Sequence, residues 1–293
     1  MSTPTLPSAE AILVAAREIG ALGLDQATLP LVLAALCNPA TSAADVGRVI
    51  AQEPGLAARV LRVANSAYYG RAGTVSTLER AFVLLGGDAV RGIAAAACLD
   101  RAATRALDRS PIGLQDMLRH SVATACAAEM LARGSTHRRA ASEAFIVGLL
   151  HDFGVAVQVR VDRAAVERLI ATIEAGPPEP VREAEARAFC VGHEHCAAVV
   201  FESWKLPPGL VTAVKHLHEP LAAPADARVV CALVNVANHV AIGAGLGYVL
   251  EPRAVEPNGA ALQFLMLAPD LVERVAEELP AKVNELQQVL GEA

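Results

Sequence analysis

Apolar residues recur along this chain at helical spacing, segment after segment, and that period decides what it can fold into. In residues 8–22, Ile12, Leu13, Ala16 and Ile19 share one face, and Gly20 and Gly23 close the segment. Residues 29–36 and 43–52 repeat the pattern, the second with Val46, Val49 and Ile50 together. Pro54 opens a further helix, since proline is tolerated in a first turn whose N–H groups lack partners anyway. Ser76 reads as a cap with Glu79 as its capping-box partner, and Asp88 as the cap of an alanine-rich helix after Gly86 and Gly87. No strand pattern interrupts the first hundred residues.

The second half restarts with QDMLRHSVATACAAEMLAR, long enough to be a central helix, followed by a polar break and SEAFIVGLLHDFGVAV. Residues 162–173 are amphipathic, and helices are expected at 181–189, 194–204, 208–216 and 227–242. GAGLG, with Pro252 and Pro257 beyond it, reads as a flexible loop, and Pro280 must kink or divide a last helix over 269–290. A polar stretch at 103–113, broken by Pro111, divides the chain into 1–110 and 111–293. With 54% hydrophobic but only 3% aromatic residues, close packing through small side chains favours an all-α fold.

A net charge of −6 without long like-sign runs argues against a nucleic-acid face or a basic membrane patch. Six scattered cysteines, with no CxxC pair, read as small buried hydrophobes. No signal peptide is recognisable and no uninterrupted apolar run reaches about 18 residues, so a cytoplasmic location without a membrane span is expected. Asn65 and the residues after it read as a helix terminus, and Trp204, the single tryptophan, as the anchor of a helix junction.

His151-Asp152, in GLLHDFG at the end of an apolar helix, is the sharpest chemical signal. Imidazole and carboxylate side by side suit zinc, iron or manganese. His120 on the central helix, His195 after Gly192, and His218 complete a constellation able to build a metal site between bundled helices. Of the eight histidines, His137, His193, His216 and His239 have plainer explanations as exposed or hydrogen-bonded residues.

The order of these histidines resembles the HD superfamily. IAQEPGLAARVLRVANSAYYG followed by VSTLERAFVLLGGDAVRGI resembles the front half of its HDOD branch, so the likeness spans residues 22–247. It implies an HD-domain-like helical bundle preceded by an N-terminal HDOD helical subdomain. It also implies a site for one divalent ion (iron, zinc or manganese) built from His120, His151, Asp152, His195 and His218, with Asn238 where active relatives close the site with an aspartate. Leu217 and Val155 stand at positions that carry histidine and lysine in active enzymes, and Glu53 replaces an aspartate before Pro54. The resemblance implies regulatory work in bacterial signalling, and with these departures the preferred reading is a stand-alone, non-catalytic module acting through protein partners or a small ligand, its input sensed elsewhere. The alternative is a metal-dependent phosphohydrolase, a phosphodiesterase retaining one ion.

Overall fold

The computed structural model describes residues 8–21, 28–38, 40–65, 75–107, 110–176, 181–252 and 258–291, and among them the elements are helices, as an all-α chain requires. The first half holds α1 (Ala9–Ala21), α2 (Thr28–Cys37), α3 (Ala43–Ala51), α4 (Pro54–Ala64), α5 (Leu78–Leu85) and α6 (Gly87–Ala106). The second holds α7 (Leu114–Gly134), α8 (Ala141–Leu150), α9 (Phe153–Val161), α10 (Arg163–Ala175), α11 (Val181–Phe189), α12 (His193–Ser203), α13 (Pro208–Lys215), α14 (Arg228–Gly243), α15 (Gly259–Leu265) and α16 (Pro269–Gly291).

Local chemistry sets the ends of these helices. Ser42 caps α3 and Pro54 stands in the first turn of α4. Asn65 ends α4: its amide donates to the carbonyls of Leu61 and Val75 at 2.8 and 2.7 Å, and its Oδ1 accepts from the Val75 N–H at 2.9 Å. Residues 66–70, which complete that motif, lie outside the described residues. The cap of α5 is Thr77 and not Ser76, because the helix starts one residue later than the capping box suggests. Asp88 lies inside α6, which begins at Gly87 directly after Gly86 turns with φ 82. That helix continues to Ala106, into the expected joint, since its alanine and arginine residues favour helix. Arg91 on α6 donates to the carbonyls of Ala35, Leu36, Asn38 and Thr41, satisfying acceptors left free where α2 ends.

Buried α7 lies at the centre, against α8, α14 and α16. Packing crosses from 1–110 to 111–293, with α1 on α12 and α9, and α6 on α8 and α9. Phe153, Phe201 and Trp204 pack together with centroids 5.3–5.9 Å apart, the two phenylalanines stacked and the indole tilted on both, and tie α9 to the end of α12, the junction role expected of Trp204. The stretch Arg138–Val161 is long and apolar enough to cross a membrane, but 83% of its apolar window is buried among the other helices. Five cysteines are buried free thiols, with burial pushing Cys37, Cys196 and Cys231 up to about 12; Cys190, by contrast, is exposed in a turn with φ 59.

Two further elements depart from expectation. Asn258 accepts from the N–H groups of Ala260 and Ala261 and so starts α15 in a stretch that carries no long helical period. Pro280 does not divide α16, because Leu271, Val275, Leu279 and Val283 form a buried stripe on both sides of it. Burial at roughly 1.5–3 kcal/mol per side chain outweighs a proline defect of about 3 kcal/mol.

Glycines in GLLHDFG allow the approach that assembles the centre. A Cβ at Gly148 would sit 2.9 Å from the Ala125 Cα on α7, and one at Gly154 would run into the carbonyl of His193 on α12. Gly154→Ala should therefore cost about 2 kcal/mol or more, a melting point lower by roughly 5 °C, while Gly87→Ala, whose Cβ meets nothing within 4 Å, should be near neutral. Thermal unfolding followed by far-UV circular dichroism checks the pair.

Candidate metal centre

Helix α8 ends at Leu150, so His151 and Asp152 occupy the turn into α9, where both side chains point into the bundle beside α7. The His151 ring donates through Nδ1 to the carbonyl of Gly148 at 2.7 Å. His120, in the N-terminal third of α7, donates through Nδ1 to the carbonyl of Leu246 at 2.9 Å. A carbonyl only accepts, so each ring carries a proton on Nδ1 and turns its other nitrogen, Nε2, inward, where loss of a proton or exchange for a cation leaves a lone pair to coordinate. Both Nε2 atoms are buried without a hydrogen-bond partner, as is Asp152 Oδ2.

These atoms meet. His151 Nε2 lies 3.2 Å from Asp152 Oδ1, and His120 Nε2 lies 3.6 Å from Asp152 Oδ2 and 3.3 Å from Glu251 Oε2. One donor atom each from His120, His151, Asp152 and Glu251 falls within 4.8 Å of all the others. Burial opposes ionisation of Asp152, yet His151, His193 and His120 hold its carboxyl well below the usual carboxylate range. Burial likewise opposes a charge on His120, but the Glu251 and Asp152 carboxylates raise it. The pocket calls for positive charge, as protons or as a cation, and the unpartnered buried atoms fit a divalent ion held by nitrogen and oxygen donors.

A second group adjoins the first. His193 at the start of α12 bonds both carboxylate oxygens of Glu185 through Nδ1, at 2.9 and 3.0 Å. Its Nε2 is 3.3 Å from Asp152 Oδ1 and 3.2 Å from His218 Nε2. With Glu194 these two histidines form a further set of donors within 4.8 Å. Burial opposes the Glu194 charge, but His195, His193 and His218 bring its carboxyl down to about 2.

Of the residues expected at the site, the structure brings His120, His151 and Asp152 together, with His218 one imidazole removed from Asp152. His195 joins neither group. It is bound to Glu194 at 3.0 Å with its side chain 37% exposed, while His193 stands beside Asp152. Residues two apart on a helix point in different directions. His193 shares the buried face of Cys196, Ala197 and Val200, whereas His195 lies in line with exposed Glu202. That phase was legible in the sequence. Asn238 donates through Nδ2 to Glu251, at 3.3 Å to Oε1 and 3.1 Å to Oε2.

Sequence reading also missed Glu251, because it lies beyond GAGLG. That segment is a helix C-cap and not merely a loop: with Gly245 at φ 76, its N–H reaches the Ile242 carbonyl and the Leu246 N–H reaches the Ala241 carbonyl, each at 3.0 Å. The cap aims the Leu246 carbonyl at His120, and Tyr248 follows with its ring 5.2 Å from the same imidazole. Leu217 and Val155 are buried apolar residues that bring no donor. His137 and His239 bond the backbone carbonyls of Leu265 and Asn235, as their plainer explanation requires.

Comparison with known proteins now bears on this arrangement. The family model for the HDOD domain matches residues 26–220. An HDOD domain protein of unknown function from Geobacter sulfurreducens shares 21% identity and a TM-score of 0.68, covering 97% of this chain and 98% of that one. A Shewanella amazonensis SB2B protein, provisionally described as a phosphohydrolase, gives 20% identity and a TM-score of 0.71 over 96% of this chain and 98% of its own. A protein from Marinobacter aquaeolei VT8, provisionally described as acting in signal transduction, gives 25% identity and a TM-score of 0.72 over 90% of this chain but only 58% of its own. No curated protein matches. Since the family model spans well over half of the sequence, and complete chains of that type share the helical frame, this protein belongs to the HDOD domain family.

Proposed function

We propose that this HDOD protein is a regulatory module of bacterial signalling that holds one divalent ion at His120, His151 and Asp152 and acts through a protein partner, without hydrolysis of its own. The observation carrying the metal is the convergence of three buried polar atoms, each without a hydrogen-bond partner, from two imidazoles and a carboxylate. Against hydrolysis stand buried Leu217 and Val155, which bring no donor to the pocket, and neutral Asn238, which brings no charge. The Marinobacter relative supports the signalling assignment, and free thiols without a disulfide among the described cysteines suit the cytoplasm.

A second reading, a phosphohydrolase, is favoured by the group of His193, Glu194 and His218, which touches the same Asp152. A bound ion would there supply Lewis acidity, while Glu185 would fix the His193 ring and Asp152 would face both groups.

Elemental analysis of freshly purified protein should find about one equivalent of iron, zinc or manganese, lost in His151→Ala and Asp152→Asn. Assays with bis-p-nitrophenyl phosphate and cyclic dinucleotides should show no turnover. Metal-free protein from both aerobic and anaerobic preparations would overturn the metal assignment; turnover abolished by His151→Ala would replace regulation with hydrolysis.

A chelator should also lower the melting point. An ion present at a hundred times its Kd stabilises by about 2.7 kcal/mol, so its removal should cost roughly 5–10 °C in a differential scan.

A further inference from the structure

Resting on the metal reading above, we infer that Glu251 is a ligand of the same ion, delivered by residues 244–251 as a strap that is folded over the pocket and that the ion steadies there. Three features of that short segment point inward, each on a different atom. The Leu246 carbonyl takes the Nδ1 proton of His120 and thereby frees its Nε2 for coordination. The Tyr248 ring packs on the same imidazole. The Glu251 carboxylate lies 3.3 Å from His120 Nε2, within the shared 4.8 Å of His151 and Asp152.

Asn238 explains why the carboxylate stays there. Only its N–H group can face a carboxylate favourably, and it donates toward both Glu251 oxygens from α14. The side chain at 238 is thus neutral and the charge beside it comes from the strap. Chain geometry supports the delivery. Gly245 makes the helix cap, the Glu251 N–H bonds the Tyr248 carbonyl at 2.9 Å, and a Cβ at Gly247 would collide with the Glu251 carbonyl, so the segment is folded back tightly enough to return Glu251 to α14. Of the four donor residues, Glu251 alone comes from outside the α7–α9 region. Ion and strap are therefore coupled: a cation that gains Glu251 as ligand also steadies residues 244–251.

The test titrates full-length protein with Zn²⁺ in competition with a chromophoric chelator, and follows amide hydrogen exchange with and without the ion. In the wild type, Zn²⁺ should slow exchange at residues 246–251. Glu251→Gln should bind about ten- to a hundredfold more weakly, and its strap should lose the protection while α7 keeps it. Adding Asn238→Asp to that variant returns a carboxylate from the helix; affinity should recover, but strap protection should not. If Glu251→Gln fails to fold by circular dichroism, Asn238→Ala, which removes the N–H groups that aim Glu251, should show a loss of the same order. Wild-type affinity in whichever variant folds, or protection of the strap that ignores Zn²⁺, overturns the role of Glu251. A wild type that binds no Zn²⁺, Mn²⁺ or Fe²⁺ overturns the metal reading itself, so the two failures are distinct.

Discussion

A carboxylate taken out of water must find partners, and the centre of this protein is arranged around that requirement at Asp152. Three imidazoles, from α7, the α8–α9 turn and the start of α12, approach its two oxygens within 3.2–3.6 Å. An isolated buried carboxylate would instead take up a proton, since its desolvation costs several kcal/mol. The surrounding rings hold the opposite balance and keep it ionised. The glycines of GLLHDFG serve the same end, because each removes the one carbon that would keep α8 from α7 or α9 from α12. The motif is thus at once a ligand pair and a packing device.

Much of this could be read from residue order. Helical period placed most elements, and the His-Asp pair with His120 and His218 marked the pocket, because such residues are rare between apolar runs. The exchange of His193 for His195 came from reading residue type without helix phase: the buried positions at 196, 197 and 200 line up with 193. Glu251 was harder to see. Its place depends on a left-handed Gly245, a carbonyl offered by Leu246 and an amide on Asn238, none of which acts over a fixed spacing in the chain. Helix α15 escaped for a related reason: at seven residues it has too short a period to detect, and Asn258 and Met266 at its two ends decide its existence.

Chemistry in the pocket grades from closed to accessible. His120, His151 and Asp152 sit in the interior with their lone pairs turned toward one another. His218 and Glu251 stand nearer the edge, and Arg182 reaches toward Glu194 and Glu219 from a partly exposed position. Neutral Asn238 changes the charge of the helix but not of the pocket, since Glu251 restores a carboxylate beside it. Counting acidic residues on one helix would therefore misjudge the total.

Energetics then argue that such a pocket is kept for a ligand. Well-packed apolar side chains in place of a buried ionic group are commonly neutral or more stable by 1–4 kcal/mol. The small, tightly packed residues around it, such as Ala123, Cys126, Ala197 and Ala237, show that this chain can build an apolar interior. It instead retains imidazoles and carboxylates with several atoms unpartnered, an arrangement that weakens the bare fold. On the proposed reading a cation reverses that balance, because nitrogen and oxygen atoms that are costly to bury unpartnered each gain a coordinate bond. Stability of the core and occupancy of the site are on that reading a single equilibrium, so whatever changes one changes the other.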